Sequence, residues 1–67
     1  SKLVVRAQNI VMDVTGVSRD VAAETLEKAH DSVKVAIVMI LADCNYEKAI
    51  EKLEQAEGHV RKAIAED

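Results

Sequence analysis

Sixty-seven residues with a net charge of −3, a single aromatic side chain (Tyr46), no proline, and glycine only at positions 16 and 58 describe one small helical domain spanning 1–67. The acidic balance excludes the basic footprint of a nucleic-acid-binding surface, and the 49% apolar content excludes a disordered segment. The core has to be assembled from Ala, Val, Ile and Leu.

The first predicted helix, about 2–14, carries Leu3, Ala7, Ile10, Val11 and Val14 at the spacing of one buried stripe. Thr15-Gly16-Val17-Ser18 ends it; Gly16 suits the left-handed residue just past a helix and Ser18 the cap of the next. A second helix, about 19–29, is expected to bury Ala22, Leu26 and Ala29, followed by a short turn in which Asp31 or Ser32 is the next N-cap. The third helix, about 33–42, is apolar at every position except Lys34. A helix apolar all round is buried all round. It is therefore expected between two layers, the first two helices on one side and the last two on the other, with Ile40 and Leu41 covered. The fourth helix, about 46–57, starts at an Asn45 cap, buries Ala49, Ile50, Leu53 and Ala56, and stops at Gly58. The fifth, about 59–65, turns Val60, Ala63 and Ile64 inward and depends on docking for its stability.

This order of elements contains an internal repeat offset by 27 residues. Ala22, Glu24, Leu26, Glu27, Ala29, Val33, Ala36 and Ile37 recur as Ala49, Glu51, Leu53, Glu54, Ala56, Val60, Ala63 and Ile64, and Ile10-Val11-Met12 recurs as Ile37-Val38-Met39. Such self-similarity marks stacked supersecondary units, here two units of about 2–42 and 33–65 that share the third helix. Asp43 stands where the first unit has Gly16, and Asp31 where the second has Gly58. Equivalent turns require positive φ at Asp43 or Asp31.

No set of side chains here supports catalysis. His30 and His59 are far apart beside turns, with no Ser or Cys nucleophile next to them. Cys44 is the repeat mate of Val17, which reads as a small apolar filler, and one cysteine with two distant histidines does not make a zinc site. The i, i+3 carboxylate pairs Glu24/Glu27 and Glu51/Glu54 have Lys28 and Lys52 within reach, which reads as a solvated face. Met12 and Met39 read as packing. No catalytic residue, metal ligand or cofactor site is assigned. Lys2, Arg6 and Arg19 make the amino-terminal end weakly basic; Lys2 and Arg6, one turn apart, can reach a phosphate or carboxylate, or can be exposed solubilising charges.

The turn Thr15-Gly16-Val17-Ser18 and the Ala36-Ile37 pair of the third helix resemble the ubiquitin-associated (UBA-like) three-helix fold, shared by elongation factor Ts and nascent-chain-binding proteins. A closer resemblance covers nearly the whole chain. Lys2-Leu3, Arg6-Ala7, Ile10-Val11, the same Gly16 turn, 33–41 and Gly58-His59-Val60-Arg61-Lys62-Ala63-Ile64 occur in the order found in the carboxy-terminal region of bacterial N-acetylmuramic acid 6-phosphate etherases. That resemblance implies an all-α, five-helix accessory domain of a cytoplasmic lyase. In that family a sugar-isomerase (SIS) domain binds the sugar phosphate, and the enzyme cleaves the D-lactyl ether to N-acetylglucosamine 6-phosphate and D-lactate in cell-wall recycling. The catalytic groups belong to that SIS domain, so none is carried over. The implied partners are the chain's own catalytic domain and a second subunit, with Lys2 and Arg6 as sugar-phosphate or interdomain contacts. Neither nucleic acid nor a membrane is an expected partner.

The competing reading is a stand-alone UBA-like protein-interaction module, which docks through an exposed apolar patch at the first turn and third helix. The beginning at Ser1-Lys2-Leu3, inside a running helical pattern, reads as a piece of something longer. A single cysteine and no apolar run long enough to span a bilayer fit a reducing cytoplasm.

Overall fold

In a computed structural model that describes residues 2–59, with side chains from residue 3 onward, the chain forms four helices: α1 (Lys2–Thr15), α2 (Arg19–Lys28), α3 (Val33–Leu41) and α4 (Tyr46–Gln55). The described residues contain no strand. Local chemistry sets the boundaries. The Ser18 hydroxyl accepts the Val21 N–H at 3.4 Å, Ser32 accepts the Val35 N–H at 3.3 Å, and Asn45 Oδ1 accepts the Lys48 N–H at 2.8 Å. Each cap satisfies an N–H that the first helical turn leaves without a partner. Ser32, rather than Asp31, is thus the cap of α3.

The helix ends repeat with the sequence. Gly16 (φ +79) and Asp43 (φ +53) follow α1 and α3, while the pairs His30/Asp31 (φ +56, +65) and Glu57/Gly58 (φ +56, +81) follow α2 and α4. Both aspartates are left-handed, as equivalent turns require. Asp31 N–H donates to Leu26 O at 2.8 Å, and Gly58 N–H donates to Leu53 O at 2.7 Å. These are the long bonds of two Schellman caps, 27 residues apart. The Cys44 N–H to Met39 O bond, 3.0 Å, closes α3 in the same way, whereas α1 ends on the simpler Gly16 N–H to Met12 O bond of 2.8 Å.

α3 packs against α1, α2 and α4, and its residues Val35 to Met39 are all buried. Around it lie Val11, Ala22, Leu26, Ala29, Ala49, Leu53 and Ala56. Val11/Val38, Ala22/Ala49, Leu26/Leu53 and Ala29/Ala56 are repeat mates, each buried in both copies. Alanines at four of these places let neighbouring backbones approach closely.

Three expectations are corrected. The buried side of α1 is formed by Val11 with half-buried Ala7, Met12 and Thr15, so Leu3, Ile10 and Val14 lie outside the core. The helix is apolar over more than one sector, and α3 takes the sector carrying Val11. Secondly, Ile40 is only half-buried and Leu41 is 43% exposed, so the last turn of α3 is not covered all round. Thirdly, Ile50 is half-buried rather than buried. The expected fifth helix, with Val60, Ala63 and Ile64, lies outside the described residues.

Candidate functional site

The α1 backbone places Lys2 and Arg6 one turn apart; Arg6 is exposed, and the Lys2 side chain is outside the described set. The third cation at this end is engaged. Arg19 donates through Nη1 to Gln8 Oε1 at 2.9 Å and through Nη2 to Asn9 Oδ1 at 2.8 Å, fastening the start of α2 to the flank of α1. The expected basic patch is therefore reduced to Arg6 and the position of Lys2.

The larger feature beside them is apolar. Leu3 (74%), Val4, Val5, Ile10 (42%) and Val14 (54%) on α1 and Val21 on α2 are all exposed. The repeat shows what is unusual about this. Ile37, the mate of Ile10, is only 7% exposed because α3 has other helices against it. Among the described residues, no element takes the place in front of α1 that α1 and α2 take in front of α3. Stacked repeats end in a polar outer face. Here the outer face of α1 is apolar.

A cleft of about 320 Å³ opens on this face, lined by Leu3, Val4, Ala7, Leu26 and Asp31. The sequence marks Asp31 as a turn residue and a candidate cap; its place in the cleft arises from α1 meeting the end of α2, a contact no local pattern encodes.

The remaining candidates behave as packing and solvent groups. The His30 ring stacks on Tyr46 with centroids 4.6 Å apart and planes tilted by 47°, and His59 is exposed. Cys44 is half-buried against the core with its Sγ 3.9 Å from Val38 O, and burial is the main cause pushing its thiol pKa above the ordinary 9.0. Raised thiol pKa means less thiolate, hence low reactivity. Glu24, Glu27, Glu51 and Glu54 are exposed, and Glu51 pairs with Lys48 at 3.1 Å. Met39 is buried, and Met12 packs partly buried against the core. Among the described residues, no three His, Cys, Asp or Glu side chains gather as a metal site, and no helix is long and apolar enough to cross a membrane.

The chain is similar to proteins named N-acetylmuramic acid 6-phosphate etherase. One from Bacillus anthracis is 56% identical over 63 residues, covering 94% of this chain and 21% of that protein. Relatives of the same name from two Bacillus cereus strains are 54% and 52% identical over the same length. The chain thus spans about a fifth of the length of the curated relatives it matches. No protein-family model matches it, and no solved structure does.

Proposed function

We propose that this chain is a carboxy-terminal accessory region of an etherase acting on N-acetylmuramic acid 6-phosphate, a non-catalytic helical array that stabilises the catalytic domain or its dimer. The observation that carries this reading is the uncovered apolar face of α1, where Ile10 is 42% exposed although its repeat mate Ile37 is buried. Exposed apolar surface of this kind marks an interface, and the similarity to one-fifth of a longer protein favours the rest of such a protein as the partner. In this reading the array is two overlapping UBA-like units with a fifth helix. Arg6 and Lys2 face a catalytic SIS domain or its sugar phosphate, and a second subunit is a further neighbour. The parent enzyme is cytoplasmic and releases D-lactate and N-acetylglucosamine 6-phosphate during peptidoglycan recycling.

The test is removal of this region from the longer protein, followed by kcat/KM and sedimentation measurements. A fall in either activity or dimer stability is expected; unchanged kinetics together with an unchanged oligomer refute the role. A second reading, the stand-alone UBA-like interaction module, is favoured by one observation, the 43% exposure of Leu41 at the end of α3. Specific sub-millimolar chemical-shift titration by ubiquitin would place it first.

A further inference from the structure

We propose that the cleft between α1 and the end of α2 is a socket for a lysine or arginine side chain carried by the remainder of the longer protein, with the stem on Leu3, Val4, Ala7 and Leu26 and the cation on Asp31. The inference rests on the accessory-region reading for the identity of the occupant, and on the cleft itself for its chemistry.

At about 320 Å³ the cleft lies at the bottom of the range for small-molecule pockets. It has room for one long side chain. Of the described residues that line it, four are apolar and the fifth is a carboxylate. An anionic occupant such as a sugar phosphate is repelled by that carboxylate. A purely aliphatic occupant desolvates Asp31 without pairing it, which is unfavourable. A methylene stem ending in a cation satisfies both halves of the lining, as long basic side chains do when the stem is buried and the head stays polar.

The Asp31 carboxylate is not used by the backbone bond that closes its turn. It sits at φ +65, where its repeat mate is Gly58 at φ +81. The left-handed region favours glycine, and the bond that closes the turn uses the backbone N–H of residue 31. The cap of α3 is Ser32. Asp31 makes no ion pair among the described residues. Its carboxylate caps neither helix beside it and is exposed at the cleft. The cleft opens beside Leu3, which is 74% exposed, so an occupant can reach it from solvent.

The socket is tested on the 67-residue chain by ¹⁵N chemical-shift titration with n-pentylammonium, 1-pentanol and pentanoate. Pentylammonium is expected to shift the amides of Leu3, Val4, Ala7, Leu26 and Asp31 and to bind more tightly than pentanol, with pentanoate weakest. Asp31→Asn, which keeps a residue tolerant of positive φ, should weaken pentylammonium by roughly two- to fivefold, the range of a partly exposed ion pair, and leave pentanol unchanged. Leu3→Ala should weaken both. Equal binding of all three probes, or shifts elsewhere, overturns the socket. Concentration-dependent shifts at these residues without a probe assign the cleft to a second copy and overturn it too. In the longer protein Asp31→Asn should lower Tm by more than in this chain alone. An equal change in both overturns the occupant even where amine binding holds, and is separate from the deletion experiment, which reads activity and oligomer.

Discussion

Leu26 and Leu53 occupy the same place in the two copies of the repeat, 4% and 8% exposed, each accepting the long bond of its helix cap through its carbonyl. Truncating either to alanine removes three carbons from a packed interior. At about 0.8 kcal/mol per buried methylene, the transfer loss is roughly 2.4 kcal/mol. A residual cavity adds to this, bringing the expected cost to about 3–4 kcal/mol per site. A chain of 67 residues has a total stability of about 3–10 kcal/mol at ordinary stability per residue. Either truncation therefore consumes a third or more of the whole. Urea denaturation followed by far-UV ellipticity reads the difference, and the milder Leu→Val pair, at about 1 kcal/mol each, keeps both variants in the measurable range. Matching losses at the two sites are expected. A large loss at Leu26 beside a negligible loss at Leu53 would show that α4 is only loosely attached, and the claim of a shared core would fall.

The turns and caps give further outcomes. A Cβ at Gly16 meets nothing within 4 Å, so Gly16→Ala isolates the cost of its φ of +79, and about 1–2 kcal/mol is expected in thermal melts. Glu57, left-handed at φ +56 without glycine, should respond in the opposite sense, Glu57→Gly raising Tm. Asn45→Ala should cost about 1 kcal/mol and more than Ser18→Ala, because its cap bond is 2.8 Å against 3.4 Å. The raised pKa of Cys44 means slow alkylation at pH 8 relative to a free peptide thiol, accelerating in urea; a folded-state pKa above the unfolded one gives stability that is lost as pH rises through the folded value.

Much of the architecture was legible because it is local. Ser18, Asn45 and Gly16 each announce a helix boundary through one side chain and one backbone bond, and all three hold. The repeat then turned two glycines into a statement about two aspartates, which are left-handed at φ +53 and +65. The face of α1 was not legible. Leu3, Ile10 and Val14 form as good a stripe as Val11 with Ala7 and Met12, and periodicity does not say which of two apolar sectors the core takes. The Asp31 cleft and the His30–Tyr46 stack join residues far apart in sequence, so they follow only from how the helices dock.

The same ambiguity explains why the outer face of α1 is the place to look for function. A residue selected only for the internal core of this array would be polar once it pointed away from that core, as Arg6, Asn9 and Asp13 are on the remaining side of the helix. Leu3, Ile10 and Val14 are not polar, and burying such side chains is worth roughly 1.5–3 kcal/mol each. Ile10→Gln separates the two demands on this helix. In the 67-residue chain it should cost less than about 1 kcal/mol, because nearly half of the residue's surface is already open to water. In the longer protein it should cost several times that, read as a lower Tm with the isolated chain as control. Equal effects in both contexts would mean that nothing docks on α1, and the accessory reading would have lost its one structural support.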